Sequence, residues 1–583
     1  MSTRAPGVYV ARDAGGSVRL ELGPCGVPGF VGLTQRGPTN EPVRLTSFEE
    51  FRRIYGDLDA EVYLDTAVSG FFENGGEVCY VLRVAHQVAR RGETVACPST
   101  CVVLDGSGVP TLKLSAASEG QWGNRVSVHV ERQEPRVSTF LTLDLREGDT
   151  SAVIKSTHGL SKGSIVRIRD HEAETYRTIT DLDGKTIGWD PGQPLERAFR
   201  SGAPTFIEPL EFTVGVRWGA SKERFENLSL STTSERYAEQ VINRQSALIH
   251  VSDLRSETSL PESYPVTMEP TCLEGGADGL FSVTPEDFIG ANIGPGERYG
   301  LAALEHVEEI DLLVIPDLMW ALEGSEGFRT EKDVWVVQDA MITQCERLKT
   351  RFTILDFPDG RDHRRASQWR LLFDSAYAAF YYPWVMVSDG QRSRLVPPSG
   401  HVAGIYARCD NAMGPYRAPA NEAVNGIFDM GRDLTDGDIG QLNKEGINCL
   451  KSLPQRGIRV WGARTASSDP AWRYVPVRRI VNSVISSVER GLQWSVFENN
   501  DRFLWKQLVH QVTSFLLELW QAGFFKGATP EDAFYVKCDA ETNPPEVQNA
   551  GQVVVECGVA PVRPAEFVVF KVDSEIEQRG SGA

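Results

Sequence analysis

Between about residues 280 and 460, short apolar runs with no polar interruption alternate with longer amphipathic segments. EIDLLVIPDL is followed by TEKDVWVVQDAMITQCERLK, then RFTILDFPD, ASQWRLLFDSAYAAFYY and YPWVMVSD. A strand that is apolar on both faces must be covered on both faces, and that pattern marks a mainly parallel sheet flanked by helices. Strand, helix, strand, helix, strand is the order read here, with ASQWRLLFDSAYAAFYY as a helix. The length of 583 residues exceeds what one core organises, so about three to four domains are expected.

The rest of the chain has a different texture. From about 105 to 250, LKLSAASEGQWGNRVSVHV and FLTLDLRE alternate as antiparallel strands do. STHGLSKGSIVRIRDHEAETYRTITDLDGKTIGWDPGQPL packs short strands and turns into a β-rich insertion at about 151–205. VPVRRIVNSVISSVERGLQWSVFE and NDRFLWKQLVHQVTSFLLELWQAG read as long helices, followed by the strand AFYVKCDA. The last apolar stretch, GQVVVECGVAPVRPAEFVVFKV, reads as two strands, QVVVECG and AEFVVFKV, paired across a proline-bearing turn. A lone two-stranded ribbon is barely stable in water, so its edges need a cover. The short run Val8, Tyr9, Val10 near the start is a further strand candidate. The plain alternative is an ordinary sheet in which PGVYV pairs inside its own chain.

Chemistry is harder to place. A formal charge of −19 argues against nucleic-acid binding, which rewards clustered Lys and Arg. MSTRAPGVYV lacks the apolar core of a signal peptide and no run approaches membrane-spanning length, so synthesis in the cytoplasm and no direct membrane insertion are expected. Ten cysteines are scattered singly, and Cys79, Cys449 and Cys557 in apolar surroundings read as buried thiols. CPSTC (Cys97, Cys101) has no second Cys/His pair near it for zinc. GLSKG, Gly159 to Gly163, matches a nucleophile elbow, but strand-like SIVRIRD follows instead of a helix, so Ser161 reads as a turn residue. The twelve tryptophans share no pattern of acidic partners and read as core anchors. No catalytic residue, metal site or cofactor is assigned, and no enzyme is expected.

Several stretches, in their order along the chain, carry a resemblance. They are PGVYV, VGLTQRGPTNEPVRLTSFEEFRRIYG, GQWGN, ENLSL, LEGGADG with TPEDFIG, IPD at 315–317, GIRVWGARTASSDPAWRYVPVRRI, and NPPEVQNAGQVVVECGVAPVRPAEFVVFKV. Together they resemble the tail sheath proteins of contractile phage tails and phage-tail-like injection particles. The segment around 151–205 departs from the minimal pattern of that family and looks like one of its variable outer insertions.

The resemblance implies a multidomain α/β and α+β fold. Residues 1–22 would be an N-terminal linker arm with a donated strand. Residues 23–105 and 250–455 would form the middle α/β domain, 106–249 an outer region, and 456–583 an inner C-terminal α+β domain with swapped terminal strands. It further implies a structural subunit, stacked in hexameric rings around an inner tube protein, that contracts to drive the tube forward. Partners would be other copies, the tube, and baseplate and tail-terminator or cap proteins, in a virion tail or phage-tail-like particle. Strand exchange between subunits would involve Val8, Tyr9, Val10, Val553, Val554, Val555, Phe567, Val568, Val569 and Phe570. The alternatives from other classes are a hydrolase or carbohydrate-active enzyme using the Ser161 turn, and a non-contractile structural protein.

Overall fold

The computed structural model describes residues 19–57, 62–87, 94–132, 138–202, 204–256, 258–294, 296–358, 362–388 and 393–566. At its centre stands an eight-stranded sheet. Its strands are β1 (Pro28–Gly32), β2 (Val43–Leu45), β3 (Cys79–Arg83), β4 (Leu312–Val314), β5 (Phe352–Leu355), β6 (Ala378–Tyr382), β7 (Ile447–Leu453) and β8 (Gly457–Trp461). They lie in the order β2-β3-β1-β4-β5-β6-β7-β8. The six inner strands run parallel, and β2 and β8 close the edges antiparallel. Every residue of β1, β4, β5 and β6 is buried. That is the physical reason their sequences are continuously apolar. Helices α1 (Leu64–Glu73), α2 (Glu331–Leu348), α3 (His363–Arg370) and α4 (Ser399–Ala412) belong to this body.

Two details differ from the sequence reading. In ASQWRLLFDSAYAAFYY only the first part is helical, because AAFYY is strand β6 and YPWVMVSD supplies Val385–Ser388 to a separate three-stranded sheet. A short apolar run carries no period of its own, so helix and strand look alike there. The expected boundary at 455/456 falls inside the hairpin of β7 and β8, which binds 457–461 to the central sheet.

The outer region is wider than expected. Thr100–Leu104, Pro110–Ala116 and Ile249–Asp253 form a three-stranded sheet. Ser127–Arg132, Phe212–Trp218, Ser221–Leu228 and Met268–Cys272 form a four-stranded one. The two share a core that includes Leu112, Leu114, Val128, Val214 and Ile249, so this region extends from Thr100 to Cys272 rather than 106–249.

The inserted module spans 139–209, not 151–205. Its six strands are ordered 139–140, 206–209, 165–169, 174–183, 186–189, 151–153. Leu141 bridges Ile154, and the Lys155 N–H donates to the Phe140 carbonyl at 2.9 Å, so the last strand meets the first. The module is therefore a closed barrel around Val166, Ile168, Ile187, Trp189, Phe199 and Ile207. Closure leaves no strand edge on a surface that edge pairing would make adhesive.

The C-terminal unit contains α5 (Val475–Gly491), α6 (Arg502–Gln521), β9 (Phe534–Lys537) and β10 (Glu556–Val559). Ile480, Val484, Val512, Phe515, Leu516 and Leu20 form its core. Among the described residues no helix is long and apolar enough to cross a membrane.

Candidate assembly interface

A doubly wound sheet usually binds ligands where the strand order reverses, outside the carboxyl ends of the strands. Here that point lies between β1 and β4. It is filled by the protein itself. The Asp317 carboxylate, fully buried, accepts hydrogen bonds from the N–H groups of Leu33 (2.7 Å), Tyr63 (2.6 Å) and Leu64 (2.9 Å). The donors at the start of α1, which would otherwise hold an anion, are used internally. Ser161 sits in the turn before the strand 165–169, and its hydroxyl meets Ser164 Oγ at 3.1 Å. That is the geometry of a turn, and the hydroxyl's partner is another hydroxyl rather than a base. Cys97 donates to the Gly275 carbonyl, and among the described residues no group of three His, Cys, Asp or Glu is arranged to hold a metal.

The surface that stands out is the ribbon of β9 and β10. It pairs Phe534 with Val559, Tyr535 with Gly558, Val536 with Cys557, and Lys537 with Glu556. Phe534, Val536 and Val559 pack against the helical core, while Tyr535 is 53 % exposed. The Tyr535 ring lies over Gly558, where a Cβ would come within 2.2 Å of it. Beyond Val559 the chain continues antiparallel to 524–526, through Lys526 N–H to the Ala560 carbonyl (2.9 Å) and Val562 N–H to the Phe524 carbonyl (3.1 Å). Among the described residues no third strand joins the ribbon.

Both ends of the described chain lie on this C-terminal unit and its junction with the body. Leu20 is buried in the helical core, and the Arg19 guanidinium donates to Glu518 of α6 at 2.7 Å. At the other end Glu566 accepts from Arg464 Nε at 2.8 Å, with a second bond to the same guanidinium, and Tyr474 is within reach at 3.4 Å. Arg464 is bonded in turn to the Asn443 carbonyl at 2.8 Å. An ion pair that is bidentate and mostly buried fixes direction as well as position.

The last apolar stretch has a ladder partner that the sequence reading did not name. Glu556–Val559 pairs upstream with Phe534–Lys537, and the expected partner AEFVVFKV lies outside the described residues from Phe567 onward. Val553, Val554 and Val555 are outside the ladder. Their place is set by Asn543, wholly buried, whose Oδ1 accepts from Val554 N–H at 2.6 Å and whose amide donates to the Val554 carbonyl at 3.0 Å. Pro561 and Pro564 then remove donors that a continuing ladder would need. Cys557, read as buried, is exposed. Val8, Tyr9, Val10, Phe567, Val568, Val569 and Phe570 lie outside the described residues. The sequence reading overlooked Asn543, Asp317 and Glu566. Only Asp317 had a local signal, as an acid directly after a continuously apolar strand.

The family model for the phage tail sheath protein central domain matches residues 328–466, and that for the phage tail sheath C-terminal domain matches 467–575. The chain belongs to the phage tail sheath family. The boundary at 466/467 keeps β8 with the central part of the sheath subunit, as the strand pairing does. A prophage protein of Pseudomonas aeruginosa (strain UCBPP-PA14), assigned as its major tail sheath protein, is 29% identical over 310 residues, covering 50% of this chain and 74% of its own. The tail sheath protein of Bacillus phage SP01 is 24% identical over 523 residues, 84% of this chain and 83% of the relative. Among solved structures, the helical sheath of the anti-feeding prophage in its contracted state is similar in fold over 98% of this sheath chain and 100% of its own, at 19% identity and a TM-score of 0.52.

Proposed function

We propose that the chain is the repeating subunit of a contractile sheath, stacked in hexameric rings around an inner tube and linked to its neighbours by strands exchanged at the two chain ends. The observation that carries this reading is the two-stranded ribbon of β9 and β10, which no third strand joins among the described residues, on the same C-terminal unit where Arg19 is held by Glu518 of α6. An extended segment from another copy can add to such an edge through main-chain hydrogen bonds, with alternate side chains filling pockets. Val8–Val10 of one neighbour and Phe567–Phe570 of this chain or another are the segments assigned to that role. Tyr535 and Cys557 are both exposed in the single chain.

Magnitudes separate two kinds of contact in the lattice. Four buried Val or Phe side chains per joint stabilise by about 6–12 kcal/mol before ordering costs. Exposed ion pairs between subunit bodies contribute about 0–1 kcal/mol each. Strong strand joints with weak body contacts let a lattice change from long and narrow to short and wide while every link persists. Many subunits gaining a little in the wide form would then drive the tube forward. The tube is assigned to the hairpin of α5 and α6, whose tip presents Val496, Phe497 and Phe503 to solvent. A baseplate and a cap would end the stack.

Removal of residues 1–12 tests the reading. Subunits should stay folded and lose assembly, whereas the intact protein should form helical tubes in electron micrographs. If the truncated protein polymerised into full sheaths, exchange through the N-terminal arm would be wrong.

A further inference from the structure

Arg479 of α5 is 2 % exposed and carries one positive charge into the junction between the helical unit and the central sheet. Its Nη1 donates to Asp410 Oδ1 of α4 at 2.9 Å, its Nη2 bonds the other oxygen of Asp410, and the same Nη2 donates to Asp311 Oδ2 at 2.8 Å. The guanidinium lies over the ring of Tyr406, 4.9 Å from its centroid. Asp311 stands directly before β4 and has a second set of partners. Its Oδ1 accepts from the Val27 N–H at 2.7 Å and its Oδ2 from the Gly26 N–H at 3.0 Å.

Residues 23–27 are thereby tied to several elements over a short length. The Gly23 N–H donates to Ser487 Oγ of α5 at 3.0 Å, and the Cys25 thiol lies 3.4 Å from Ser483 Oγ. Gly26 has φ +75°, and a Cβ on it would come within 2.5 Å of the Ala407 Cα, so the chain passes flat against the backbone of α4. These five residues connect β1 to the N-terminal arm. Leu20 anchors the chain a second time three residues further out; without the ties, the stretch with two glycines between β1 and that anchor would be free to shift, and each joint would have to freeze that motion again.

We propose that the Arg479–Asp311 pair is a positioning device for assembly: it clamps the root of the N-terminal arm so that the arm leaves every subunit on one heading. The inference rests on the exchange of terminal strands proposed above. A preset heading lowers the ordering cost of each joint, and with it the concentration at which sheaths form.

Asp311→Asn separates this role from packing. An asparagine has one acceptor oxygen and one donor nitrogen, so it cannot accept from both Arg479 and the two arm-root N–H groups, while the Arg479–Asp410 pair is kept. The expected result is at least tenfold faster amide hydrogen exchange at Gly26 and Val27 in the free subunit, together with at least a tenfold higher critical concentration for assembly. Val337→Ala, a cavity variant in α2, serves as the control: at an equal or larger loss of Tm it should assemble at the wild-type concentration. Ser487→Ala, which removes the Gly23 tie at a buried position of α5 by deleting a single hydroxyl, should show a smaller change of the same sign and stands in if Asp311→Asn does not fold. Unchanged exchange at the root, or faster exchange with assembly at the wild-type concentration, overturns the proposal. If the 1–12 deletion still assembles, the strand-exchange reading fails; if the deletion abolishes assembly while Asp311→Asn assembles normally, only the clamp fails.

Discussion

The Asp317 carboxylate occupies the place that a side chain on Gly32 would need, since a Cβ there would lie 2.5 Å from Asp317 Oδ2. The end of β1 and the start of α1 are thus joined through one buried acid that serves three N–H groups. Removing it in Asp317→Ala leaves those donors without an acceptor, and at about 1–3 kcal/mol for each buried unpaired group the loss should be at least about 3 kcal/mol. Gly32→Ala should cost about 1–3 kcal/mol through overpacking. Urea unfolding of the subunit below its assembly concentration measures both. A crevice serving as a ligand site would instead tolerate both changes with little loss of stability.

Cys557 reports on the ribbon directly. It is exposed in the single chain, on β10 opposite Val536, beside the edge assigned to neighbouring strands. A maleimide should label it readily in the free subunit and at least tenfold more slowly in assembled tubes. Equal labelling in both states would mean that the ribbon remains uncovered in the particle.

The central sheet was legible because its signal is redundant: β1, β4, β5 and β6 are buried over every residue, and no helix face is apolar in that way. The α5 and α6 helices were equally plain from their length. AAFYY was misread because it follows a real helix without a glycine or proline between, so nothing in the sequence marked the change. The run Val553–Val555 was misread as strand for another reason. These residues have strong β propensity, but a side chain eleven residues before Val554, that of Asn543, satisfies its backbone. Propensity describes a preference for a pleated surface and cannot name the partner. The closing of the barrel depends on Leu141 meeting Ile154, a contact that short irregular strands do not announce.

His401 gives the fold a sensitivity to acid. It lies on α4 with its ring against α1, where a Cβ on Gly70 would be 2.6 Å from the imidazole, and it is 2 % exposed. Burial lowers its pKa to about 4 from an ordinary 6.5. The folded chain therefore holds the ring neutral in a range where the unfolded chain protonates it. Its contribution is fully present above pH 6.5 and is lost as the pH falls toward 4, by about 3 kcal/mol in all. His401→Gln removes that titration. Plotted against pH, the stability difference between wild type and variant should be flat above pH 7 and turn against the wild type between pH 6.5 and 4. A difference independent of pH would place the ring in solvent.

Asn543 is the prediction that links local geometry to assembly. Its side chain holds Val554 from both sides, and its amide also reaches the Asp539 carbonyl at 3.3 Å. The chain from 538 to 555 is thereby closed on itself, which sets where β10 begins. In Asn543→Ala the Val554 N–H and carbonyl lose their partners, at a cost of about 1–3 kcal/mol. The hydrogen-bond partners of its side chain are Cys538, Asp539, Thr542 and Val554, all local, so the central sheet should unfold at its usual denaturant concentration. The ribbon is affected first: with residues 538–555 released, β10 can slip along β9, and a slip of one residue turns Val559 away from the helical core. Hydrogen exchange should rise at 534–537 and 556–559 and stay unchanged in β4, β5 and β6. Assembly should weaken in step with that local loosening, because an incoming strand then meets an edge with no fixed register. Asparagine-to-aspartate at the same site keeps the acceptor for Val554 N–H but puts a charge against its carbonyl, so it should fall on the alanine side and not restore assembly.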